Sequence, residues 1–172
     1  MSLPSDFQWG FATAAFQIEG ASEADGRGPT IWDKFCAIEG KIADKSDGSV
    51  ACDSPTAFPL SWARIVPLGG RNDPINQKGI DHYVKFVDDL LEAGITPFIT
   101  LLHWDVPDGI EQRYGGLLNR QEFPLDFEHY ARVVFKAIPK VQELDYLQRT
   151  VLQLYSRLQY RPLRAGPHFR PD

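Results

Sequence analysis

The stretch from Ile80 to Leu102 limits the choice of fold more than any other part of this 172-residue chain. Ile80, Tyr83, Val84, Val87, Leu90 and Leu91 recur at helical spacing and so share one face of a helix. Gly94 stands just past the last of them, where helices commonly close on a left-handed residue. Pro97-Phe98-Ile99-Thr100-Leu101-Leu102 follows, a nearly continuous apolar run of strand length that reads as a strand buried on both sides. A second helix is predicted from Phe127, Tyr130, Ala131, Val134, Phe135 and Ile138, stopped by Pro139. Strands alternating with helices build an α/β fold around a parallel sheet.

Two more strands are expected upstream. Phe7 to Gln17 is apolar on both faces with small residues interleaved, as in a buried parallel strand. Leu60 to Val66 reads as a short strand closed by Pro67 and the Gly69-Gly70 turn. Gly26, Gly28 and Pro29 mark a loop, and Gly40 to Asp53 is polar and turn-rich, hence a surface loop.

Composition narrows the function classes. The 43% hydrophobic and 24% charged residues are ordinary globular values. No apolar stretch approaches the roughly 20 residues of a membrane span. The net charge of −5 offers no basic stripe for nucleic acid and no attraction to an anionic membrane. Cys36 and Cys52 form no metal or redox motif, and the N-terminus lacks the features of a secretory signal, so a reduced, cytoplasmic chain is expected.

Few residues are placed for chemistry. His103-Trp104-Asp105 ends the best strand, where ligands gather in α/β folds. An indole offers a flat apolar face to a sugar ring, and His and Asp offer directional hydrogen bonds. The same residues also fit a satisfied buried histidine and a core tryptophan. Gln17, at the end of the first predicted strand, could bind a pair of hydroxyls or simply fix a loop. Glu19 suits a structural acceptor better than a catalyst. There is no phosphate-cradling glycine loop, no metal-spaced His/Cys set and no nucleophile elbow.

The ordered motifs carry a resemblance. Phe7-x-Trp9-Gly10-x-Ala12-Thr13-Ala14-Ala15-Phe16-Gln17-x-Glu19-Gly20 is similar to the N-terminal signature of glycoside hydrolase family 1. Arg27 to Asp33, Ser61 to Ile65, Gly79 to Tyr83, Gly94 to Pro97, Leu102 to Pro107 and Gly115-Gly116-x-x-Asn119 follow in family order. Residues 3–140 are covered, and the chain most resembles intracellular fungal β-glucosidases. The resemblance implies a (β/α)8 barrel, of which this chain would hold about the first three strands. It implies retaining hydrolysis of β-glucosides without a cofactor or metal. It also makes Gln17, His103 and Trp104 substrate-binding residues at the glycone subsite, for glucose or a β-glucoside.

Two departures stand beside the matches. Between Ser54 and Leu60 the family has a helix and most of a strand, including an arginine beside the nucleophile; here there is only Pro55-Thr56-Ala57-Phe58-Pro59. After Lys140 the family continues into a strand ending in Asn-Glu-Pro, whose glutamate is the acid/base, and the nucleophilic glutamate lies far downstream. Retaining glycosidases need two carboxylates roughly 5 Å apart. No catalytic residue is therefore assigned here, and the 172 residues are expected to be inactive. Residues 141–172 hold five arginines and no lysine. Leu144, Leu147, Val151, Leu154 and Leu158 fit an amphipathic helix that could serve an interaction. A second reading explains more. With Gln148 as CAA, Arg149 as CGA and Thr150 as ACC, within a permitted coding of Glu143 to Val151, the next frame reads Asn-Trp-Ile-Thr-Phe-Asn-Glu-Pro. The tail is accordingly expected to be out-of-frame sequence, leaving 1–140 as the family domain.

Overall fold

The structure is a computed structural model that describes residues 3–4, 7, 9–10, 15–20, 23–46 and 60–141. Six α-helices order these residues: α1 (Ala15–Ile18), α2 (Ile31–Cys36), α3 (Trp62–Ile65), α4 (Gln77–Glu92), α5 (Asp108–Tyr114) and α6 (Glu122–Ala137). Single 3-10 turns lie at Ala24–Gly26 and Gly116–Leu118.

The two long helices match the periodic stripes. α4 buries Ile80, Tyr83 and Val87, while Leu91, at the frayed end of the stripe, is exposed. Its C-terminus closes as a Schellman turn: the Gly94 N–H donates to Leu91 O at 3.0 Å and the Ile95 N–H to Leu90 O at 2.9 Å, with Gly94 at φ +72°. Gly79 is needed for a different reason, since a Cβ there would run into the Arg64 carbonyl of α3. α6 buries Phe123, Asp126, Tyr130 and Val134. Asn119 caps it, its side-chain oxygen accepting from the backbone N–H groups of Gln121 (3.0 Å) and Glu122 (2.9 Å).

Trp62 is the hub of the core. It is fully buried, stacks on Tyr130 at 4.9 Å between ring centroids, and meets Phe123 and Phe127 edge-on at 5.7 and 5.6 Å. Tyr130 passes the connection on by donating its hydroxyl to Leu101 O at 3.0 Å.

The predicted strands need correction. Leu60 to Val66 is not a strand: Trp62–Ile65 is a helical turn with all four side chains buried. A short, wholly apolar run suits a buried strand or a buried helical turn equally, and only packing separates them. The described residues of the run from Phe7 to Gln17 do not form a buried strand either. Phe7 and Trp9 are 47% and 82% exposed, and Ala15–Ile18 is helical; residues 8 and 11–14 lie outside the described set. Residues 97–102 are buried on one side only, with Pro97, Ile99 and Leu101 inside and Phe98 outside. One rung, the Leu60 N–H to Thr100 O at 3.0 Å, touches that segment. Among the described residues no β-ladder forms beyond a Thr30–Pro107 bridge. The cause is the same throughout. A strand needs neighbours to take its N–H and C=O groups, whereas a helical turn satisfies its own.

α2 and α5 carry too few residues to leave a periodic stripe. Thr30 starts α2 with a capping box: its backbone N–H donates to the Asp33 carboxylate at 2.6 Å and its hydroxyl accepts the Asp33 N–H at 3.3 Å. The loop before α2 is tied to the chain entering α5 by the Ile31 N–H to Val106 O (2.9 Å) and the Asp108 N–H to Pro29 O (2.8 Å).

Candidate functional site

The chain leaves the core at Leu101 and re-enters it at Asp105. His103 and Trp104 lie between and are exposed, Trp104 at 53%. Trp104 adopts φ +69°, a left-handed conformation that a bulky residue rarely takes. The turn is braced by Asp105, whose Oδ1 accepts the His103 backbone N–H at 3.2 Å. Asp105 itself is 2% exposed, and its Oδ2 has no hydrogen-bond partner among the described residues. Burial pushes its carboxyl up to about 7, against the pull of the backbone N–H groups and of Arg27, and the charge of Glu19 adds to the rise.

Gln17 is exposed on α1, and Glu19 just after that helix is buried. Glu19 forms a short ion pair with the Arg64 guanidinium, and the Tyr83 hydroxyl lies 2.9 and 3.0 Å from its two oxygens. That hydroxyl also accepts the Ser61 N–H at 2.9 Å. The second guanidinium nitrogen of Arg64 reaches Asp25 at 2.7 Å. Asn76 spans the same group, donating to Asp25 O (2.9 Å) and Arg64 O (2.8 Å). Burial, together with the charges of Asp105 and Glu19, drives the Tyr130 hydroxyl well above its ordinary value. The α1 segment, the 103–105 turn and α6 are therefore within electrostatic reach of one another.

Gln17, His103 and Trp104 are thus all available to a ligand, and neither His103 nor Trp104 is a core residue. Among the described residues no hydrogen bond joins Gln17 to the turn. Glu19 is a structural acceptor, as its sequence context suggests. The Arg64–Tyr83–Ser61 arrangement around it was not legible in advance, although an arginine inside Trp62-Ala63-Arg64-Ile65-Val66 signals a buried partner. A groove of about 580 Å³ between α4 and α6, lined by Ile80, Val84, His129 and Val133 among others, contains none of the candidate residues. Among the described residues no cluster of His, Cys, Asp and Glu could hold a metal ion, and no helix is long and apolar enough to cross a membrane.

These features have counterparts of known class. The sequence model of glycosyl hydrolase family 1 matches residues 1–59 and again 55–146. Beta-glucosidase 1B of Phanerodontia chrysosporium is 50% identical over 151 residues, an alignment covering 78% of this chain and 28% of that protein. The crystal structure of the β-glucosidase from Trichoderma harzianum superposes with a TM-score of 0.78 at 66% identity, covering 81% of this chain and 33% of that one. A family 1 β-glucosidase from Humicola insolens, solved in complex with glucose, gives a TM-score of 0.78 at 67% identity, covering 83% of this chain and 33% of that one. The chain belongs to glycosyl hydrolase family 1. It spans about a third or less of the length of these relatives.

Proposed function

We propose that this chain carries the glycone-binding part of a retaining β-glucosidase, built from Gln17, His103 and Trp104, and that the 172 residues alone do not hydrolyse a glycoside. The observation that carries the reading is the exposed His103–Trp104 turn in a chain of this family. Trp104 offers an indole face, His103 an imidazole and Gln17 an amide, a set suited to the apolar face and hydroxyls of a glucosyl ring. Hydrolysis with retention further requires a proton donor and a nucleophilic carboxylate roughly 5 Å apart. The family takes both from sequence that follows the region matched here. Asp105 is buried and Glu19 is held by Arg64, so neither is free to attack.

The domain reading rests on the same ground. Residues 1–140 are the start of the family barrel, about its first three strands, with an internal deletion at 55–59. A family match broken into 1–59 and 55–146 supports this. So does an alignment of 151 positions that covers only 78% of a 172-residue chain, because the relative must then hold residues with no counterpart here. The tail from 141 is out-of-frame sequence, and all of it beyond Val141 lies outside the described residues.

Turnover of an aryl β-glucoside by the purified chain should equal that of buffer. Hydrolysis that copurifies with the chain and disappears in Trp104→Ala refutes inactivity. Sequencing the coding DNA decides the tail: any codon other than CAA, CGA and ACC at Gln148, Arg149 and Thr150 refutes the frame reading. A second reading, a carbohydrate-binding remnant, is favoured by the exposure of Trp104. Saturable glucose binding without turnover supports it.

A further inference from the structure

We propose that Asp105 is a positioning residue that holds the His103–Trp104 turn in its sugar-facing form, and that its carboxyl makes the turn sensitive to pH. The proposal rests on the sugar-binding reading of His103 and Trp104 only for its consequence, not for the geometry. A tryptophan at φ +69° is held there against its own preference, so something in the structure must over-determine it. On one side stands the Asp105 Oδ1 bond to the His103 N–H, which spans the unfavourable residue. On the other stands the tie from Val106 O to the Ile31 N–H and the Thr30–Pro107 bridge, which fix the chain just beyond. The turn is thus clamped at both ends, and among the described residues Asp105 is the side chain that takes part in the clamp.

The second half follows from the unpartnered Oδ2. A buried carboxylate with one oxygen satisfied gains a proton more readily than a solvated one, and the carboxyl of Asp105 sits at about 7. Among the described residues the charged and titratable side chains within electrostatic reach of it are Arg27 from the loop before α2, Glu19 from the α1 segment and Tyr130 from α6, while His103 meets it through its backbone N–H. The ionised form accepts the His103 N–H strongly. The protonated form accepts it weakly and carries a new O–H that must find an acceptor. A change in pH across neutrality therefore loosens or tightens the clamp on Trp104.

The test uses the full chain labelled with 15N, whose four tryptophans give four indole N–H resonances; Trp104→Phe identifies the one that matters. Asp105→Asn keeps an amide oxygen for the His103 N–H and loses the charge, whereas Asp105→Ala loses both. The expected result is a Trp104 resonance that titrates near pH 7 in the parent, moves in Asp105→Ala, and is pH-independent near its parent position in Asp105→Asn. Glucose binding, followed by calorimetry at pH 8, should weaken about tenfold in Asp105→Ala, the factor expected from loss of one hydrogen bond's worth of turn preference. A Trp104 resonance unmoved in Asp105→Ala overturns the positioning role. If Asp105→Ala does not fold, the asparagine variant decides: a titration that persists there does not belong to Asp105 and overturns the proposal. Absence of glucose binding in the parent refutes the sugar-binding reading instead, and the resonances still judge Asp105.

Discussion

Glu19 and Asp105 are buried to nearly the same degree, 7% and 2% exposed, and the molecule provides for them in opposite ways. Glu19 meets a guanidinium and a phenolic hydroxyl, and Arg64 is itself tied to Asp25 and lies beside the Tyr83 ring. Among the described residues Asp105 has a single hydrogen-bond partner, the His103 N–H of its own turn, and its Oδ2 has none. A charge removed from water needs a partner to be tolerated. The first carboxylate therefore joins α1 to α3 and α4, while the second stays poised between two protonation states. The lesson is that burial alone does not say whether an acid stabilises a fold; its partners do.

The comparison breaks most sharply at Arg64. Arg64→Met leaves Glu19 buried without its cation and should cost about 3–5 kcal/mol of stability. Urea unfolding followed by tryptophan fluorescence measures it, and a loss below about 1 kcal/mol would mean that the pair contributes little.

Asp105 should answer with the opposite sign. Its folded value of about 7 lies above the ordinary 3.8, so between those values the folded chain holds more protons than the unfolded one. Its contribution is complete below the unfolded value and is lost as pH rises through 7. Stability should then fall between roughly pH 4 and pH 8, and Asp105→Asn should flatten that slope and gain roughly 1–3 kcal/mol at pH 8. Unfolding midpoints of parent and variant across that range check this; parallel curves would count against an unpartnered Asp105.

The capping box at Thr30 supplies an intermediate case. Its donors and acceptors are local, and Thr30→Ala should cost about 1 kcal/mol, read from the same unfolding midpoint. The smallest effect belongs to Lys85, whose pairing with Asp89 at 2.7 Å is on the solvent face of α4. Lys85→Ala should leave the midpoint unchanged within error, because water and salt screen such a pair.

How much of this could be read from residues alone depends on how local the cause is. α4 and α6 were legible because their stripes repeat over several turns, and Gly94 and Pro139 mark their ends. The motif singled out His103 and Trp104 as candidates and left open whether they were core; the structure exposes both. The strands were not. Leu60 to Val66 and Phe7 to Gln17 have strand-like composition, yet pairing partners decide whether such runs extend or coil, and no pattern inside the run states which partners arrive.

By itself, then, the sequence determined the two amphipathic helices, where each of them ends, and the family, since each depends on residues close together in the chain or on an ordered set of motifs. Tertiary structure alone decided that Trp62 sits in a helical turn against Tyr130, that Arg64 meets Glu19 across 45 positions, and that Asp105 is buried with one oxygen unanswered. Those outcomes depend on which distant surfaces exclude water from which atoms. Desolvation is a property of the packed whole, not of any segment read on its own.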